Sequence, residues 1–386
     1  MELINAARHT VADLFTALDK TGHEHLVVVV KATYALPARN DQMPRPQMPP
    51  QPIAAADQWA GEPGLSAPLY ESDYVLRKAR CDLLFNACAQ FAPDETGMKR
   101  LVAGFEFGDC QKMLSACGAR QWKSGALGSR PSDPEVIEAP VPLHMGNAYG
   151  GTVRMSALKV EPELLTAHPE NPMGTGYCPN SALLHRSEHA PPMLELSGHP
   201  VRGPTDKGLQ PAALSVLPRT SQSRGKWAGT YDEAWRREQA PMLPHDFDER
   251  YFQSAPEDQQ VPHPNGGERV RLHRMVKGHA VLEFVLPKLS GLRIKLLTRE
   301  YAVYELAPVV DTLYFETELQ RMSVVWRASL SIQRWPGRLL DVQTLAIGTV
   351  CKSWWAAKAS GQSSCSGCDK ARSTEKPPEG CEEGAA

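Results

Sequence analysis

Prolines recur along the whole chain and set the strongest limit on its fold. The sequence has 33 prolines among 386 residues. Each proline lacks a backbone N–H donor and fixes φ at about −65°, so it ends or kinks a helix. A helical bundle is therefore not expected. Because the apolar fraction of 42% and the charged fraction of 22% are those of a globular protein, we expect a core built from strands and long loops.

Short apolar segments predict where the strands lie. The valine-rich run from Leu26 to Leu36 follows the turn-forming residues 19–22, so we expect a buried strand that forms the second arm of a hairpin. The stretch 4–18 fits a helix or a strand, because its apolar residues recur at helical spacing but threonines interrupt them. Strand patterns return between Arg80 and Gly118 and again after Gly267.

The expected fold is mainly β, and α+β at most. It comprises two antiparallel β cores joined and wrapped by long Pro/Gly-rich loops, with few short helices. We divide the sequence into an N-terminal β domain (1–125) with an exposed proline-rich loop (37–68), an irregular wrapping region (126–266), a C-terminal antiparallel β region (267–355) and a disordered cysteine-containing tail (356–386).

Charge and targeting signals bear on location and partners. The formal net charge is −2, so nothing draws the whole chain to nucleic acid or to an acidic membrane. The first 15 residues lack a signal peptide's basic and apolar regions, and the run from Leu26 to Val30 is too short to cross a bilayer. Nine irregularly spaced cysteines are typical of reduced thiols. We expect a cytoplasmic protein without nucleic-acid or membrane partners.

His185, Glu188 and His189 fit the H-x-x-E-H pattern of a zinc peptidase, in which two histidines on one helical face hold the metal. Pro191 and Pro192 end any helix there, so we favour a chance match.

Cys365 and Cys368, with Cys351 and Cys381 on either side, offer thiolates for zinc or redox chemistry. A zinc site needs a second pair at finger spacing, and this pair lies in a polar tail. We therefore interpret these cysteines as free thiols in disordered sequence.

A group of carboxylates lies near the middle of the chain: Asp232, Glu233, Asp246, Asp248 and Glu249. Paired carboxylates serve glycosidases and two-metal hydrolases. Structural roles fit better, because Asp232 can cap a helix that begins at Glu233 and Asp246 follows Pro244 in a turn. The sequence contains no serine-hydrolase elbow and no phosphate-binding loop, so we predict no catalytic residue and no cofactor.

The stretch from Gly229 to Gln260, preceded by Trp227, reads GTYDEAWRREQAPMLPHDFDERYFQSAPEDQQ. It resembles the signature block of the family catalogued as domain of unknown function 2169, whose members are encoded beside type VI secretion spike and toxin genes. Other blocks agree in order, among them VVVVKATYAL, KARCDLLFN from Lys78, AYGGT and VVWRAS. The resemblance reaches to about Trp355. The family's usual lysine-proline step before Asp82 is absent, and residues 78–81 read KARC instead.

The resemblance implies a non-enzymatic adaptor or chaperone. Such a protein binds a toxic effector, often PAAR-linked, and helps to load it onto the VgrG spike. Its signature or partner-binding residues here are Trp227, Tyr231, Asp232, Trp235, Asp246, Asp248, Tyr251, Phe252, Asp258 and Gln259. The aromatic members suit an interface, although packing against the core is favoured for each. The alternatives are a metal-dependent hydrolase, using His185, Glu188 and His189 or the Asp232–Asp248 carboxylates, and a structural baseplate component.

Overall fold

Strands form most of the regular structure of the chain. A computed structural model describes residues 1–91, 95–125, 128–154, 165–179, 190–205, 208–299, 302–334, 338–339, 341–348, 356–357 and 360. The predicted disordered tail therefore lies almost wholly outside the described residues.

The strands, in chain order, are β1 (Glu2–Asn5), β2 (Thr10–Leu18), β3 (Glu24–Ala35), β4 (Arg45–Pro46), β5 (Gln58–Trp59), β6 (Pro68–Tyr70), β7 (Cys81–Asn86), β8 (Cys88–Ala89), β9 (Arg100–Phe107), β10 (Cys110–Cys117), β11 (Trp122–Gly125), β12 (Gly128–Pro131), β13 (Val141–Pro142), β14 (Tyr149–Gly150), β15 (Thr152–Arg154), β16 (Leu165–Ala167), β17 (Thr175–Gly176), β18 (Leu194–Leu196), β19 (Gln260–Val261), β20 (Arg269–Val276), β21 (His279–Val285), β22 (Ile294–Thr298), β23 (Val303–Leu306), β24 (Val309–Glu316), β25 (Arg321–Ser331), β26 (Gln333–Arg334), β27 (Arg338–Leu339) and β28 (Val342–Ile347).

Helical structure is short wherever the chain is described. The helices are α1 (Gln222–Gly225) and α2 (Glu233–Glu238), and 3-10 turns lie at Met145–Asn147, Glu249–Phe252, Glu257–Gln259 and Thr317–Leu319. No helix in this part of the chain has the length and apolar character needed to cross a bilayer. The prediction of a mainly β fold with few short helices is confirmed.

The largest sheet has the order β19–β7–β24–β25–β3–β2, with β4 beside β3. Its pairs are antiparallel except that of β7 and β24, which is parallel. Residues 25–33 of β3 are all buried, because β3 has neighbours on both sides and both faces of the sheet are covered. The valine-rich run therefore forms the buried strand that the sequence predicts.

Strands β2 and β3 form the predicted hairpin. Asp19 organises the turn between them, since its carboxylate accepts hydrogen bonds from the backbone N–H of Thr21 at 2.8 Å and of His23 at 3.0 Å. Strand β2 then pairs with β3 along its whole length. The stretch that fitted a helix or a strand is therefore extended from Thr10, because β3 offers it a full ladder of backbone partners.

The second sheet has the order β18–β10–β9–β20–β21 and packs against the largest one. Phe85 of β7 stacks on Phe105 of β9 with ring centroids 4.6 Å apart, and on Phe315 of β24 at 4.9 Å. A smaller sheet, β1–β28–β22–β23, adds Ile294 and Leu345 to the same buried cluster. The core thus lies between the sheets, where apolar faces meet.

Strands from the predicted N-terminal region (1–125) and C-terminal region (267–355) lie side by side within both large sheets. Strand β3 pairs with β25, β7 with β24, and β9 with β20. Either region alone would leave long strand edges unpaired, and each supplies the backbone partners of the other. The boundaries at 125 and 267 therefore divide the sequence but not the sheets, whose buried side chains form one continuous cluster.

The face of the largest sheet that points away from the second sheet, here named the outer face, is covered by loops. Val29 of β3 and Val325 of β25 pack on this face with Ile53 and Phe252. Ile53 belongs to the proline-rich loop 37–68, which was expected to be exposed. Part of that loop instead covers the sheet, because apolar side chains on the outer face would otherwise meet water.

The region 126–266 is largely irregular where it is described, and it fills gaps around the sheets. Strand β18 extends the second sheet by pairing with β10. The Leu214 carbonyl accepts a hydrogen bond from the N–H of Phe85 at 3.2 Å, and the Leu214 N–H donates to the Leu143 carbonyl at 2.9 Å. Long loops of this region therefore satisfy backbone groups at the edge of β7.

Candidate functional site

The segment that carries the resemblance begins with a loop that closes on itself. This signature loop, residues 227–248, has its two ends joined because the Asp248 N–H donates to the Trp227 carbonyl oxygen at 3.0 Å. It leads directly into the 3-10 turn Glu249–Phe252, whose Phe252 packs on the outer face. The loop is therefore anchored on the outer face of the largest sheet.

Asp246 holds the loop closed from within. Its carboxylate accepts hydrogen bonds from the N–H of Thr230 at 2.9 Å and from the Thr230 hydroxyl at 2.7 Å. These bonds, chiefly the one from the N–H, lower the pKa of Asp246. Gly229 has a φ of 82°, and a Cβ at this position would lie 2.8 Å from Pro244 Cβ and 3.0 Å from the Phe247 nitrogen. Asp246 therefore serves the fold of the loop itself.

Helix α2 carries the most exposed part of the loop. Asp232 caps it, as the sequence predicts, by accepting a hydrogen bond from the Trp235 N–H at 2.8 Å. No residue of the helix is buried. The rings of Tyr231 and Trp235, here named the aromatic pair, meet edge to face at 4.7 Å, and the Trp235 indole donates to the Met242 carbonyl at 2.9 Å. Tyr231 remains 53% exposed, so the loop fixes an aromatic surface that faces solvent.

Trp227 lies at the base of the loop among cations. The Arg250 guanidinium is 3.2 Å from the centroid of the Trp227 ring, and the Lys226 ammonium is 4.8 Å from it. Two hydrogen bonds of 2.9 and 2.7 Å join Arg250 to Asp248, and they are the main cause that lowers the pKa of Asp248 to about 2. Asp248 therefore positions Arg250 over the indole ring.

Tyr251 and Phe252 attach the loop to the body of the protein. Phe247 of the loop contacts both rings, with centroids 6.0 Å from Tyr251 and 5.4 Å from Phe252. Arg224 lies over the Tyr251 ring at 5.3 Å. These two signature aromatics therefore contribute to packing, whereas Tyr231 points to solvent.

Asp258 and Gln259 join the two large sheets. The buried Lys112 ammonium of β10 donates to Asp258 Oδ1 at 2.9 Å and to Gln259 Oε1 at 3.0 Å. Gln259 Nε2 in turn donates to the carbonyls of Leu83 at 2.8 Å and of Leu214 at 3.0 Å. Burial lowers the pKa of Lys112, since it disfavours the charged form. The end of the signature block is thus a structural link.

Sequence reasoning missed a buried polar cluster centred on Asp82. One of its carboxylate oxygens accepts from the Lys78 ammonium at 2.7 Å and from the Ser254 N–H and hydroxyl at 2.8 and 2.9 Å. The other accepts from Gln253 Nε2 at 2.7 Å, and Lys78 also donates to the Thr312 hydroxyl at 3.1 Å. The cluster fixes the residues that follow the signature loop to strand β7.

Buried charged residues of this kind can be recognised in the sequence, because each is a charged residue within an apolar strand pattern. Lys31 ends a run of valines, Asp82 precedes LLF, Asp311 interrupts VVDTLYF, and Arg327 lies in VVWRAS. In the structure Arg327 pairs with Asp311 at 2.5 Å, and Lys31 pairs with Asp73 at 3.0 Å. A charge in a buried strand requires such a partner, so its presence predicts a covering segment.

A cleft of about 470 Å³ opens at the base of the signature loop. Its lining includes Arg80, Lys226, Trp227, Arg250, Gln253 and Glu257. We name it the basic cleft, because its cations outnumber its carboxylates. The Arg80 guanidinium donates to the Gln260 carbonyl at 2.9 and 3.1 Å, and no described carboxylate pairs with Arg80 or Lys226. The arrangement is therefore suited to binding a negatively charged group.

The residues of the two metal-site patterns that the sequence analysis weighed lie outside the described residues. These are His185, Glu188 and His189 of the H-x-x-E-H match, and Cys365 and Cys368 of the tail. Among the residues whose placement is described, no three His, Cys, Asp or Glu side chains come close enough to hold a metal ion.

The fold and the site together define a mainly β protein in which loops cover an open sheet and present an aromatic and basic surface. A family model described as "Uncharacterized protein conserved in bacteria (DUF2169)" matches residues 21–327. The chain belongs to this family. The match extends from the β2–β3 turn into β25 and includes the whole signature block. No curated protein and no solved structure matches the chain.

Proposed function

We propose that this protein is a cytoplasmic, non-enzymatic adaptor of bacterial type VI secretion. In this proposal it binds a toxic effector, often one linked to a PAAR tip domain, and assists its loading onto the VgrG spike. The observation that carries the proposal is the aromatic pair, formed by the exposed Tyr231 and by Trp235 of α2, a helix with no buried residue. Aromatic side chains at such positions contribute strongly to protein interfaces.

The fixed conformation of the signature loop supports a binding role. Asp232 caps α2, Asp246 closes the loop on Thr230, and Asp248 positions Arg250. A surface held in one conformation before binding loses less entropy when a partner docks. The polar groups of the loop thus hold the aromatic pair in one conformation before a partner binds.

The same contacts argue against a hydrolase built on these carboxylates. Each of Asp232, Asp246 and Asp248 accepts hydrogen bonds that fix the backbone or a neighbouring arginine. A general base must instead reach a substrate proton. The alternative at His185 and His189 is tested by elemental analysis for zinc. Stoichiometric zinc that is lost in the His185→Ala, His189→Ala double variant would support the hydrolase instead of the adaptor.

Copurification from the source bacterium tests the proposal. The tagged chain should recover the effector or the spike protein encoded beside its own gene. Tyr231→Ala should reduce that recovery several-fold, since an exposed aromatic anchor contributes on the order of 1–2 kcal/mol to an interface. Leu319→Ala is the matched control, because Leu319 is 59% exposed and lies outside the signature loop. Recovery of neither protein by the unaltered chain would contradict an adaptor role.

Quantification of the protein in assembled, sheath-bound particles separates an adaptor from a baseplate component. A loader that acts before firing should be scarce in such particles relative to the spike. A fixed stoichiometric amount in them would favour the structural alternative.

A further inference from the structure

The cations of the basic cleft differ in whether a carboxylate of the protein pairs with them. Arg224 is bound by Glu71 through contacts of 2.5 and 2.8 Å, and Arg250 is bound by Asp248. Arg80 and Lys226 have no carboxylate partner in the described part of the chain, and both are exposed. Positive charge is therefore available in the cleft at two positions.

The cleft also has apolar walls. Leu217 and Ala255 line it beside the ring of Trp227. Apolar walls lower the local dielectric constant, so a charge pair formed there is stronger than the same pair on an open surface. A ligand with carboxylates on an apolar or extended backbone fits this combination better than a fully hydrated small anion.

A second cleft of about 420 Å³ adjoins the first and shares Arg80 and Gln260 with it. Its lining includes the carboxylates of Asp109 and Glu268, so the charge of the combined groove changes sign beyond Arg80. Two adjoining clefts can receive an extended chain, and the change of sign would fix which part of that chain lies in the basic half.

We propose that the basic cleft receives an extended acidic segment of the protein partner, with carboxylates at Arg80 and Lys226. This inference rests on the proposed function in that the ligand is taken to be a polypeptide. It assigns separate tasks to the two surfaces. The aromatic pair supplies apolar contact area, and the basic cleft selects partners by charge.

Fluorescence anisotropy with a labelled octaglutamate peptide tests this proposal on the full-length chain at low ionic strength. The peptide should bind, octalysine should not, and the affinity should fall as salt is added, because screening weakens exposed charge pairs. Lys226→Gln should weaken binding about threefold, and the Arg80→Gln, Lys226→Gln double variant roughly tenfold, as expected for exposed ion pairs.

The matched control is the Lys123→Gln, Arg202→Gln double variant, which removes exposed cations outside the cleft and should leave the affinity unchanged. The Lys226 ammonium contacts the ring of Trp227 and pairs with no carboxylate among the described residues, so its substitution tests the cleft without breaking an ion pair there. Failure of octaglutamate to bind, or equal weakening in the control, would overturn the proposal. So would an oligonucleotide of equal charge that binds more tightly with the same dependence on Lys226.

The outcome is distinguishable from that of the adaptor proposal. Octaglutamate binding at the cleft, without recovery of a neighbouring effector or spike protein, would leave the cleft assignment standing and contradict the adaptor role. Effector recovery without octaglutamate binding would contradict only the cleft assignment.

Discussion

Charged side chains inside the largest sheet show how single residues determine what covers it. Lys31, Asp82, Asp311 and Arg327 are each at most 4% exposed. Lys31 pairs with Asp73 and Asp82 with Lys78, both on the segment that packs Leu76 on the outer face. Asp311 and Arg327 pair with each other, and Arg327 also donates to the carbonyls of residues 73 and 75 of that segment. Burying an unpaired charge is costly, so these residues require the covering segments to dock. They hold in place the chain from which the signature loop projects.

Replacement of Asp82 by Asn tests this dependence. The variant leaves the buried Lys78 ammonium without its counter-ion and places an NH₂ donor among the donors Gln253 and Ser254. We expect the free energy of unfolding to fall by about 3–5 kcal/mol, as for a broken buried ion pair. Denaturant unfolding measures the loss. Asp133→Asn, at an exposed site, should change it little, and equal stability of the two variants would contradict a structural role for Asp82.

Glu195 gives a prediction about pH. Burial alone would raise its pKa, but hydrogen bonds from Arg120 at 2.7 Å and Arg100 at 2.9 Å outweigh burial and lower the pKa below its ordinary 4.5. Its stabilising contribution is therefore present above about pH 4.5 and is lost as the pH falls toward the folded-state pKa. Glu195→Gln should unfold more easily at about pH 7, and this deficit should shrink as the pH falls below about 4.5.

The free energies of unfolding of the unaltered chain and of Glu195→Gln, measured from about pH 7 to below about 4.5, test this pH dependence. Glu138→Gln, at an exposed site, is the control. A deficit of Glu195→Gln that stays constant as the pH falls below about 4.5 would show that the charge of Glu195 does not stabilise the fold.

The role of a residue could be predicted from the sequence when its partner is a near neighbour in the chain, but not when its partner is distant in the chain. Asp232 could be assigned as a helix cap because its partner, Trp235, is three residues away. The acceptor of Gln253 is Asp82, which is 171 residues away. A sequence pattern shows that Asp82 is a charge in a strand, but only the folded chain shows which segment supplies its partner.

The signature loop is the element on which the adaptor proposal depends, and Gly229 limits its shape. Gly229 and Gly267 have φ values of 82° and 92°, so an alanine at either position costs about 1–2 kcal/mol of backbone strain. A Cβ at Gly229 would also approach Pro244 at 2.8 Å, whereas a Cβ at Gly267 meets nothing within 4 Å. We expect Gly229→Ala to open the loop and Gly267→Ala to leave it closed.

Hydrogen exchange of the amides between residues 230 and 247 measures this difference. Faster exchange should appear only in Gly229→Ala. If both variants exchange alike, backbone strain alone explains the effect and the close packing under the loop is not required.

Element types followed from the sequence more readily than element contacts. The buried strand β3 and its hairpin turn were predicted from valines and from the residues Asp19–Gly22. The preceding stretch fitted two structures, and tertiary pairing with β3 decided between them. The proline-rich loop was identified as a loop, but its docking through Ile53 depends on apolar residues contributed by β3 and β25.

At the scale of the whole molecule, sheet order is the feature that the sequence least reveals. Strand β3 pairs with β25, and the paired residues Ala35 and Arg321 are far apart in the chain. Periodicity identifies a strand and its buried face. Many strands have similar patterns, however, so the pattern does not show which strand pairs with which. The division of the chain at 125 and 267 therefore reflects composition, while the sheets combine both regions.

The sheet order places the signature loop where a partner can reach it. Strands β7 and β19 form one edge of the largest sheet, and the signature block ends in β19. Arg80, which precedes β7, and Gln260 of β19 line the basic cleft at this edge. Trp227 lines the same cleft at the base of the signature loop, which presents the aromatic pair. A scaffold of paired strands with recognition residues on its covering loops is a common arrangement in binding proteins.

Size-exclusion chromatography of the purified chain mixed with the effector encoded beside its gene tests the central claim most directly. The adaptor proposal predicts a complex that elutes earlier than either protein alone, and a reduced amount of it with Tyr231→Ala but not with Leu319→Ala. Separate elution of the two folded proteins at low ionic strength, or a complex that Tyr231→Ala and Leu319→Ala affect equally, would contradict binding through the signature loop.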